Sequence, residues 1–473
     1  MKRKTKIVCT LGPSTDSVTE IERLLEAGMN VARLNFSHGS YEYMEKILKN
    51  LKEACLKTGK SVAILQDLQG PKIRLGKLPE KGIPVKRGEI IILSTDGKSF
   101  NPLAGKMIPV QYRSLHKDVK SKDLILIDDG YIEVQVQKIV ERKIYCKVKT
   151  SGVLKSHKGV NCPTASIKAA SITAKDLADL KFGLKNEIDY VALSFVRKAE
   201  DIENLRKKLI ENNHQHVQII AKIERHEAVK NLKEIAKASD GLMVARGDLG
   251  IEIPAEQVPI VQKEIVRIGR ILGKPVIIAT QILESMIQNS KATRAEISDA
   301  ATAIFEHADA FMLSGETSTG RYPFKAAQTL AKVAHAVEKE IQNRIYLTPN
   351  YLFNSSLSTQ DAICYNAVIL ADKIKARFIV ILTKTGYPVC QITKYRPHTP
   401  IVVITPHELV KRQLHLVWGI EDVLISGEKI SSEDEAARLI SSLLKKKKLA
   451  KTDQKIVIVN IGQRHNFITT VKI

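Results

Sequence analysis

Residues Gly241–Gly250 read GLMVARGDLG, an apolar run that ends in a cation, a glycine and a carboxylate. The same pattern of an apolar run, polar residues and a helical stretch occurs eight times before residue 340, at intervals of mostly about 24–34 residues. Eight successive β/α units predict an α/β fold, a closed (β/α)8 or TIM barrel, rather than an open sheet. The runs are Lys6–Thr10, Asn30–Phe36, Val62–Leu68, Tyr190–Phe195, Gln218–Glu224, Gly241–Ala245, Pro275–Thr280 and Ala308–Leu313.

The interval between the third and fourth runs is much longer and has a different pattern. Around residues 83–94 and 124–149, apolar and polar residues alternate with period two, and turns such as Thr95-Asp96-Gly97 separate the segments. We therefore predict a small β-barrel domain, inserted at the end of the large barrel where active sites form, so that it acts as a lid.

After residue 340 the pattern changes again. Apolar runs such as Phe378–Leu382 and Ile401–Ile404 alternate with helical stretches, which predicts a C-terminal α/β domain with a mostly parallel sheet. The predicted domains are the barrel of residues 1–71 and 161–340, the lid of residues 72–160, and the C-terminal domain of residues 341–473.

The composition is that of an ordinary globular protein, with 44% hydrophobic and 26% charged residues among 473. No apolar run could span a bilayer, and six cysteines without a Cys-x-x-Cys pair indicate reduced thiols and a cytoplasmic location. The net charge of +23 leaves a nucleic-acid-binding protein open as an alternative, although aromatic residues are only 5% and no nucleic-acid motif occurs. Salt-sensitive binding to RNA or DNA would identify that alternative.

Catalytic groups of such barrels lie at the C-terminal ends of the strands, and here those ends are rich in charge. Glu224 and Asp248 follow neighbouring strands, so they could share one Mg²⁺, which prefers carboxylates with substrate oxygens and water. Lys222, Arg33 and Arg74 supply three positive charges for a dianionic phosphate. These parts suit phosphoryl transfer by positioning and charge neutralisation.

Two alternatives use the same residue types. A buried layer of structural ion pairs stays open, above all for Arg33 and His38. Another magnesium-dependent barrel enzyme, a lyase or an aldolase that forms an enolate, would also place paired carboxylates after neighbouring strands. It would need neither the lid nor the cations Arg33, Lys72 and Arg74, and dependence on ADP would separate the two classes.

Several long segments resemble the pyruvate kinase family and occur in its order. The resemblance implies transfer of a phosphoryl group from phosphoenolpyruvate to ADP, giving pyruvate and ATP in the last step of glycolysis, with Mg²⁺ or Mn²⁺ as cofactor. It further implies a homotetramer, and the composition predicts neither a membrane nor a nucleic-acid partner. The segments are Thr5–Pro13 (TKIVCTLGP), Asn30–Gly39 (NVARLNFSHG), Ile220–Glu224 (IAKIE), Met243–Gly250 (MVARGDLG), Ala279–Met286 (ATQILESM), Thr293–Glu296 (TRAE) and Met312–Thr317 (MLSGET).

The resemblance also implies a role for each matching residue. Glu224 and Asp248 would bind the metal, and Lys222 would stabilise the phosphoryl group during transfer. Thr280 would lie near the carbon that is later protonated, and Thr280 with a water is one hypothesis for the proton donor. Phosphoenolpyruvate would contact Arg33, Lys222, Gly247, Asp248 and Thr280. The nucleotide would contact Asn35, Arg74, Lys158, Pro13 and His38, with Arg74 at its phosphates.

One departure from the family concerns potassium. Members that need K⁺ hold it at positions matching Asn35, Ser37, Asp67 and Leu68, with Thr at the position of Leu68 and Glu at the position of Lys72. A lysine ammonium at position 72 would replace the bound ion and repel it, so we predict activity without K⁺. A Lys72 side chain that points to solvent is the alternative.

The segment Thr383-Lys384-Thr385-Gly386 lies between an apolar run and a helical stretch. Such a loop can bind a phosphate at a helix N-terminus, and it resembles the effector loop of regulated members of the family. It predicts a regulatory C-terminal domain with a sugar phosphate or a nucleotide as effector.

Overall fold

The structure, a computed structural model of the chain, describes residues 3–101, 105–343, 358–428, 432–461 and 466–473. Its first three strands are parallel neighbours. The first helix starts where the Ser17 hydroxyl accepts the Glu20 amide, and it ends at Gly28, whose φ of 107° favours glycine. These elements are β1 (Lys6–Thr10), α1 (Val18–Ala27), β2 (Val31–Asn35), α2 (Tyr41–Thr58) and β3 (Ala63–Asp67).

After β3 the chain enters a β-rich insert, as predicted. Its strands form a six-stranded sheet in the order β11-β7-β8-β9-β5-β6 and a two-stranded sheet of β10 and β4. Alternate residues of β8, such as Ile132, Val134 and Val136, are buried, because one face of the sheet covers the insert's own core. The elements are β4 (Ile83–Val85), β5 (Ile90–Ser94), β6 (Met107–Pro109), α3 (Leu115–Asp118), β7 (Leu124–Ile127), β8 (Ile132–Val140), β9 (Lys143–Val148), β10 (Gly152–Leu154) and β11 (Val160–Asn161).

The chain then completes the barrel. Eight parallel strands close in the order β1-β16-β15-β14-β13-β12-β3-β2, and each coincides with one of the eight predicted runs. The elements are α4 (Ala174–Lys185), β12 (Tyr190–Leu193), α5 (Ala199–Glu211), β13 (Gln218–Ile223), α6 (His226–Lys230), α7 (Leu232–Ala238), β14 (Gly241–Ala245), α8 (Arg246–Glu252), α9 (Val258–Leu272), β15 (Val276–Ala279), α10 (Arg294–Phe305), β16 (Ala310–Leu313), α11 (Gly315–Ser318) and α12 (Pro323–Asn343).

The last part of the chain is the predicted α/β domain with a mostly parallel sheet. Its strand order is β19-β18-β17-β20-β21, and β21 is the antiparallel strand. The predicted domain boundary after residue 340 falls within α12, and the domain boundaries stay predictions. The elements are α13 (Thr359–Lys373), β17 (Phe378–Leu382), α14 (Tyr387–Thr393), β18 (Ile401–Thr405), α15 (Glu408–Gln413), β19 (Ile420–Ile425), α16 (Glu433–Lys446), β20 (Lys455–Ile461) and β21 (Asn466–Lys472).

This C-terminal domain covers the N-terminal end of the barrel. Leu416 packs into the core inside the barrel, and the Tyr190 hydroxyl donates to the Gln413 carbonyl over 2.6 Å. The opposite end, where all eight strands finish, lies on the side of the insert, because β3 leads into it and β11 leads back. Among the described residues, no helix combines the length and apolarity that a membrane crossing requires.

Candidate active site

A row of alternating charges crosses the C-terminal ends of β2, β3 and β13. Arg33 donates to Asp67 Oδ2 from Nε at 2.8 Å and lies 2.7 Å away through Nη2. Lys222 Nζ lies 3.1 Å from Asp67 Oδ1 and 2.9 Å from Glu224 Oε1. Asp67 and Glu224 are each 1% exposed, so these ion pairs form almost without solvent. The structure thus brings together four of the residues that the sequence predicted for the site.

The electrostatics of the row show that the carboxylates of Glu224 and Asp248 repel each other. Burial raises the pKa of Glu224, and the Asp248 carboxylate raises it further, although Lys222 opposes both. Burial would lower the pKa of Lys222, but Asp67 and Glu224 outweigh it and raise that pKa. The repulsion between Glu224 and Asp248 favours a cation that binds both carboxylates.

Asp248 lies in the first turn of α8, directly after β14. Its Oδ1 lies 3.3 Å from Lys72 Nζ, and both side chains are about a quarter exposed. The Lys72 ammonium therefore reaches the site, where it pairs with the predicted metal ligand Asp248.

Two of the residues predicted at the position of the K⁺ site contact each other. Asn35 Oδ1 accepts the Ser37 amide over 3.1 Å.

Thr280 follows β15 in an uncommon backbone conformation, with φ of 65°. Its hydroxyl oxygen accepts the Gly247 amide over 2.8 Å, and the hydroxyl donates to the Ala279 carbonyl over 2.6 Å. The amide of Gly247, a residue predicted to contact the substrate, is thus bonded to Thr280 in this structure. These contacts place Gly247 and Thr280, from neighbouring strands, side by side.

Of the predicted nucleotide residues, Asn35 ends β2 beside Asp67, and the other four lie on segments outside this row. Arg74 and Lys158 are on the two chain segments that join barrel and insert, where Arg74 pairs with Gly159 and donates to the His157 carbonyl over 2.9 Å. Lys158 Nζ lies 2.8 Å from Asp128 Oδ1, and Asp128 raises the pKa of that lysine. Pro13 and His38 are exposed in the loops after β1 and β2.

Three partners of the row were not predicted. Ser194 accepts the Lys222 ammonium over 2.7 Å, Thr10 accepts Arg33 Nη1 over 2.9 Å, and the Phe195 amide donates to Glu224 over 2.7 Å. Thr10 ends β1 and Ser194 directly follows β12, so the alternation along the predicted runs was a usable signal for both. The Phe195 amide carries no side-chain signal.

Both segments that join barrel and insert contact α8. Lys72 meets Asp248 near the start of that helix, and Asn161 donates to Glu252 at its end over 3.2 Å. Glu252 also lies 3.1 Å from His226 Nδ1. The helix that carries the predicted metal ligand is therefore held between the two connections to the insert.

The predicted effector loop binds its own amides. The Thr383 hydroxyl accepts the Thr385 amide over 3.2 Å and the Gly386 amide over 3.0 Å. Gly386 has φ of 79°, and Lys384 and Thr385 are exposed. A phosphate would have to replace the Thr383 hydroxyl at these amides.

Comparison with known proteins agrees with this geometry. The model of the pyruvate kinase barrel domain matches residues 2–327, and that of the pyruvate kinase alpha/beta domain matches residues 361–470. The chain belongs to the pyruvate kinase family. As a member of that family it is a transferase, a kinase, and the resemblance seen in the sequence is confirmed.

Individual pyruvate kinases are similar over most of the chain. That of Geobacillus stearothermophilus is 45% identical over 422 residues, which cover 89% of this chain and 71% of the relative. That of Bacillus licheniformis is 45% identical over 435 residues, covering 92% and 73%. A crystal structure of a pyruvate kinase from Cryptosporidium parvum matches with a TM-score of 0.91 and 35% identity, covering 99% of this chain and 96% of that one.

Proposed function

We propose that the chain transfers the phosphoryl group of phosphoenolpyruvate to ADP with Mg²⁺ or Mn²⁺, giving pyruvate and ATP, as the last step of glycolysis and without a need for K⁺. The observation that carries the proposal is the Lys222 ammonium, which lies between the buried carboxylates of Asp67 and Glu224 beside Arg33. A fixed, desolvated pair of cations is what a transferring phosphoryl group requires.

The residues present fit a divalent metal. Glu224 and Asp248 would hold it, because both offer carboxylate oxygens and their mutual repulsion contributes to the raised pKa of Glu224. Bound there, Mg²⁺ would neutralise charge on the substrate oxygens.

Asp67 prepares the two cations before substrate arrives. It binds Arg33 through Oδ2 and lies beside Lys222 through Oδ1, so neither cation has to reorient during transfer. Preorganised charge of this kind lowers the barrier because no reorganisation is needed at the moment of reaction.

Gly247 and Thr280 are proposed to serve the other end of the substrate. The start of α8 offers backbone amides to the carboxylate of phosphoenolpyruvate, and the Gly247 amide would then leave the Thr280 hydroxyl. The Thr280 hydroxyl proton is directed at the Ala279 carbonyl, which favours protonation of the enolate through a water that Thr280 holds.

The nucleotide is proposed to bind toward the insert. Arg74 and Lys158, on the connecting segments, would contact its phosphates, and Asn35, Pro13 and His38 would border it. Lys72, at Asp248, is proposed to supply the positive charge that K⁺ supplies elsewhere in the family. A homotetramer, an effector phosphate at Thr383–Gly386 and a cytoplasmic location remain predictions from the sequence.

The experiment is pyruvate formation from phosphoenolpyruvate, ADP and Mg²⁺ in buffers free of K⁺, Na⁺ and ammonium. Full activity that requires ADP supports the reaction and the role of Lys72 together. Activity only after K⁺ is added keeps the reaction and contradicts the role of Lys72. Loss of phosphoenolpyruvate without ADP would contradict the phosphoryl transfer and favour the lyase alternative.

A further inference from the structure

Arg246 is the charged residue of the Met243–Gly250 segment that has no proposed role in binding the metal or the substrate. It stands beside Gly247 and Asp248 at the end of β14, where a cation would ordinarily be expected to face a phosphate. Its guanidinium is instead bonded to the neighbouring loop. Nη2 donates to the carbonyls of Thr280 and Gln281 at 2.8 and 2.9 Å, and Nε donates to Thr280 at 3.3 Å.

The loop that Arg246 holds is strained. Thr280 and Gln281 are consecutive non-glycine residues with φ of 65° and 52°. Such left-handed residues persist only where the surrounding structure fixes them, and they concentrate at functional sites. The two carbonyls of this turn converge on one guanidinium, whose planar fork can bond both at once, whereas an ammonium has no such fork.

A third contact fixes the guanidinium itself. Arg246 Nη1 lies 2.7 Å from Asp299 Oδ2 on α10, and the arginine side chain is 12% exposed. The position of the fork is therefore set from β14 through its backbone and from α10 through Asp299. Through its bonds to the Thr280 and Gln281 carbonyls, the guanidinium in turn fixes the position of the turn after β15.

This turn also fixes the position of the Thr280 hydroxyl. Thr280 Oγ1 accepts the amide of Gly247, the residue directly after Arg246, over 2.8 Å. Arg246 thus acts on Thr280 twice, through its side chain at the Thr280 carbonyl and through the backbone that carries Gly247.

We propose that Arg246 is a positioning residue for the protonation half of the reaction. Its guanidinium keeps Thr280 and Gln281 in the left-handed turn and so fixes the position of the Thr280 hydroxyl, which in the proposed function holds the water that protonates the enolate. The inference rests on the role proposed above for Thr280. It assigns Arg246 to proton transfer rather than to binding of the phosphate or the metal.

The test compares Arg246→Lys, Thr280→Ala and the double variant. Two rates are measured: pyruvate formation, and exchange of the pyruvate methyl hydrogens with D2O in the presence of Mg²⁺ and ATP, followed by NMR. We expect Arg246→Lys to lower kcat and the exchange rate about 30-fold, with KM for phosphoenolpyruvate changed less than about threefold. Because Arg246 acts through Thr280, adding Arg246→Lys to Thr280→Ala should cost less than about twofold more.

Two further variants separate positioning from stability. Arg206→Lys removes a matched fork at the opposite end of the barrel, where Nη2 donates to the Ala238 carbonyl at 2.9 Å and to Asp240 at 3.0 Å. It should leave both rates within about twofold. Asp299→Asn keeps the bonds to the turn and should lower the exchange rate only about threefold.

The proposal is overturned by any of three results. In the first, the rate losses of the two single variants multiply in the double variant. In the second, Arg246→Lys raises KM and leaves kcat unchanged. In the third, the rates of Arg206→Lys and Arg246→Lys both fall in proportion to the loss in Tm. A wild-type protein that forms no pyruvate contradicts the proposed function itself, independently of any variant.

Discussion

At the C-terminal end of the barrel, Lys222 lies between the carboxylates of Asp67 and Glu224, whereas at the N-terminal end Asp189 meets Arg412 of the C-terminal domain at 2.9 Å. Both ends bury charge, and Asp189 is fully buried. At the N-terminal end the C-terminal domain supplies the cation that pairs with Asp189, and the Ile64 amide of the barrel donates to the other carboxylate oxygen over 2.8 Å. At the C-terminal end the charges pair with one another, and Asp248 still repels the Glu224 carboxylate.

The difference shows what each end is built to bind. Burying an ion pair costs desolvation that its own attraction barely offsets, so a buried charge needs complete partners or a ligand. The C-terminal domain completes the N-terminal end, where the Lys6 ammonium also donates to the Ile420 carbonyl over 3.2 Å. The other end is completed by substrate and metal in the proposed function.

A substitution of Lys222 tests this difference between the two ends of the barrel with the largest expected effect. We expect Lys222→Met to lower kcat about 10³-fold, because the transferring phosphoryl group loses a desolvated cation. Steady-state assays of pyruvate formation measure it. The matched control is Lys274→Met at the opposite end, where that ammonium donates to the Ser239 carbonyl over 2.6 Å. Similar losses of kcat in both variants would mean that the two ends do not differ as described.

A second variant tests the charge at Lys72. In Lys72→Glu we expect activity without K⁺ to fall about tenfold to 100-fold and K⁺ to restore much of it, because Asp248 loses its fixed cationic neighbour. Assays with K⁺ varied at constant ionic strength measure this. Lys77→Glu makes the same charge change at an exposed position of the same segment and should leave activity unchanged. A variant that stays fully active without K⁺ would contradict the role of Lys72.

Sequence could predict the barrel and the row of charges for one physical reason. Each strand is a buried apolar run, and closure of a parallel barrel brings all strand ends to one face, so Arg33, Lys222 and Glu224 had to meet there. Alternation along a strand does not fix which way a long side chain turns. The bonds of Arg246 to the Thr280 turn and of Lys72 to Asp248 therefore emerged only from the structure.

The packing of the C-terminal domain against the barrel could not be predicted from the sequence either. Residues 408–416 lie in the short helix α15 and the turn after it, and Arg412 and His415 there carry no pattern that points to a partner. Strand β21 was missed for a related reason. Its residues are only partly buried, because it is the edge of the sheet, and its polar threonines do not form an apolar run.

The smallest predicted effect lies at the docked end, at His415. Its Nε2 lies 2.7 Å from Ser61 Oγ, across the boundary between the domain and the barrel. Burial, together with the smaller effect of the nearby charges of Lys6 and Lys411, lowers the pKa of His415 to about 3. Below about pH 6.5 this histidine is therefore protonated in the unfolded chain but stays neutral in the folded protein. The free energy of unfolding then falls by about 1.4 kcal/mol for each pH unit down to about pH 3. Between pH 7 and 5 this amounts to about 2 kcal/mol.

His415→Gln should remove this acid sensitivity, so its midpoint in urea should fall less between pH 7 and 5 than that of the wild type. The comparison of variants is needed because Asp189 acts with the opposite sign. Burial raises the pKa of Asp189 to about 6, so its contribution is complete below about pH 4 and is lost as the pH rises through 6. His407→Gln changes an exposed histidine of the same domain and should follow the wild type. If His415→Gln and His407→Gln both follow it, the docked end does not hold His415 neutral, and its charges are less completely partnered than the comparison requires.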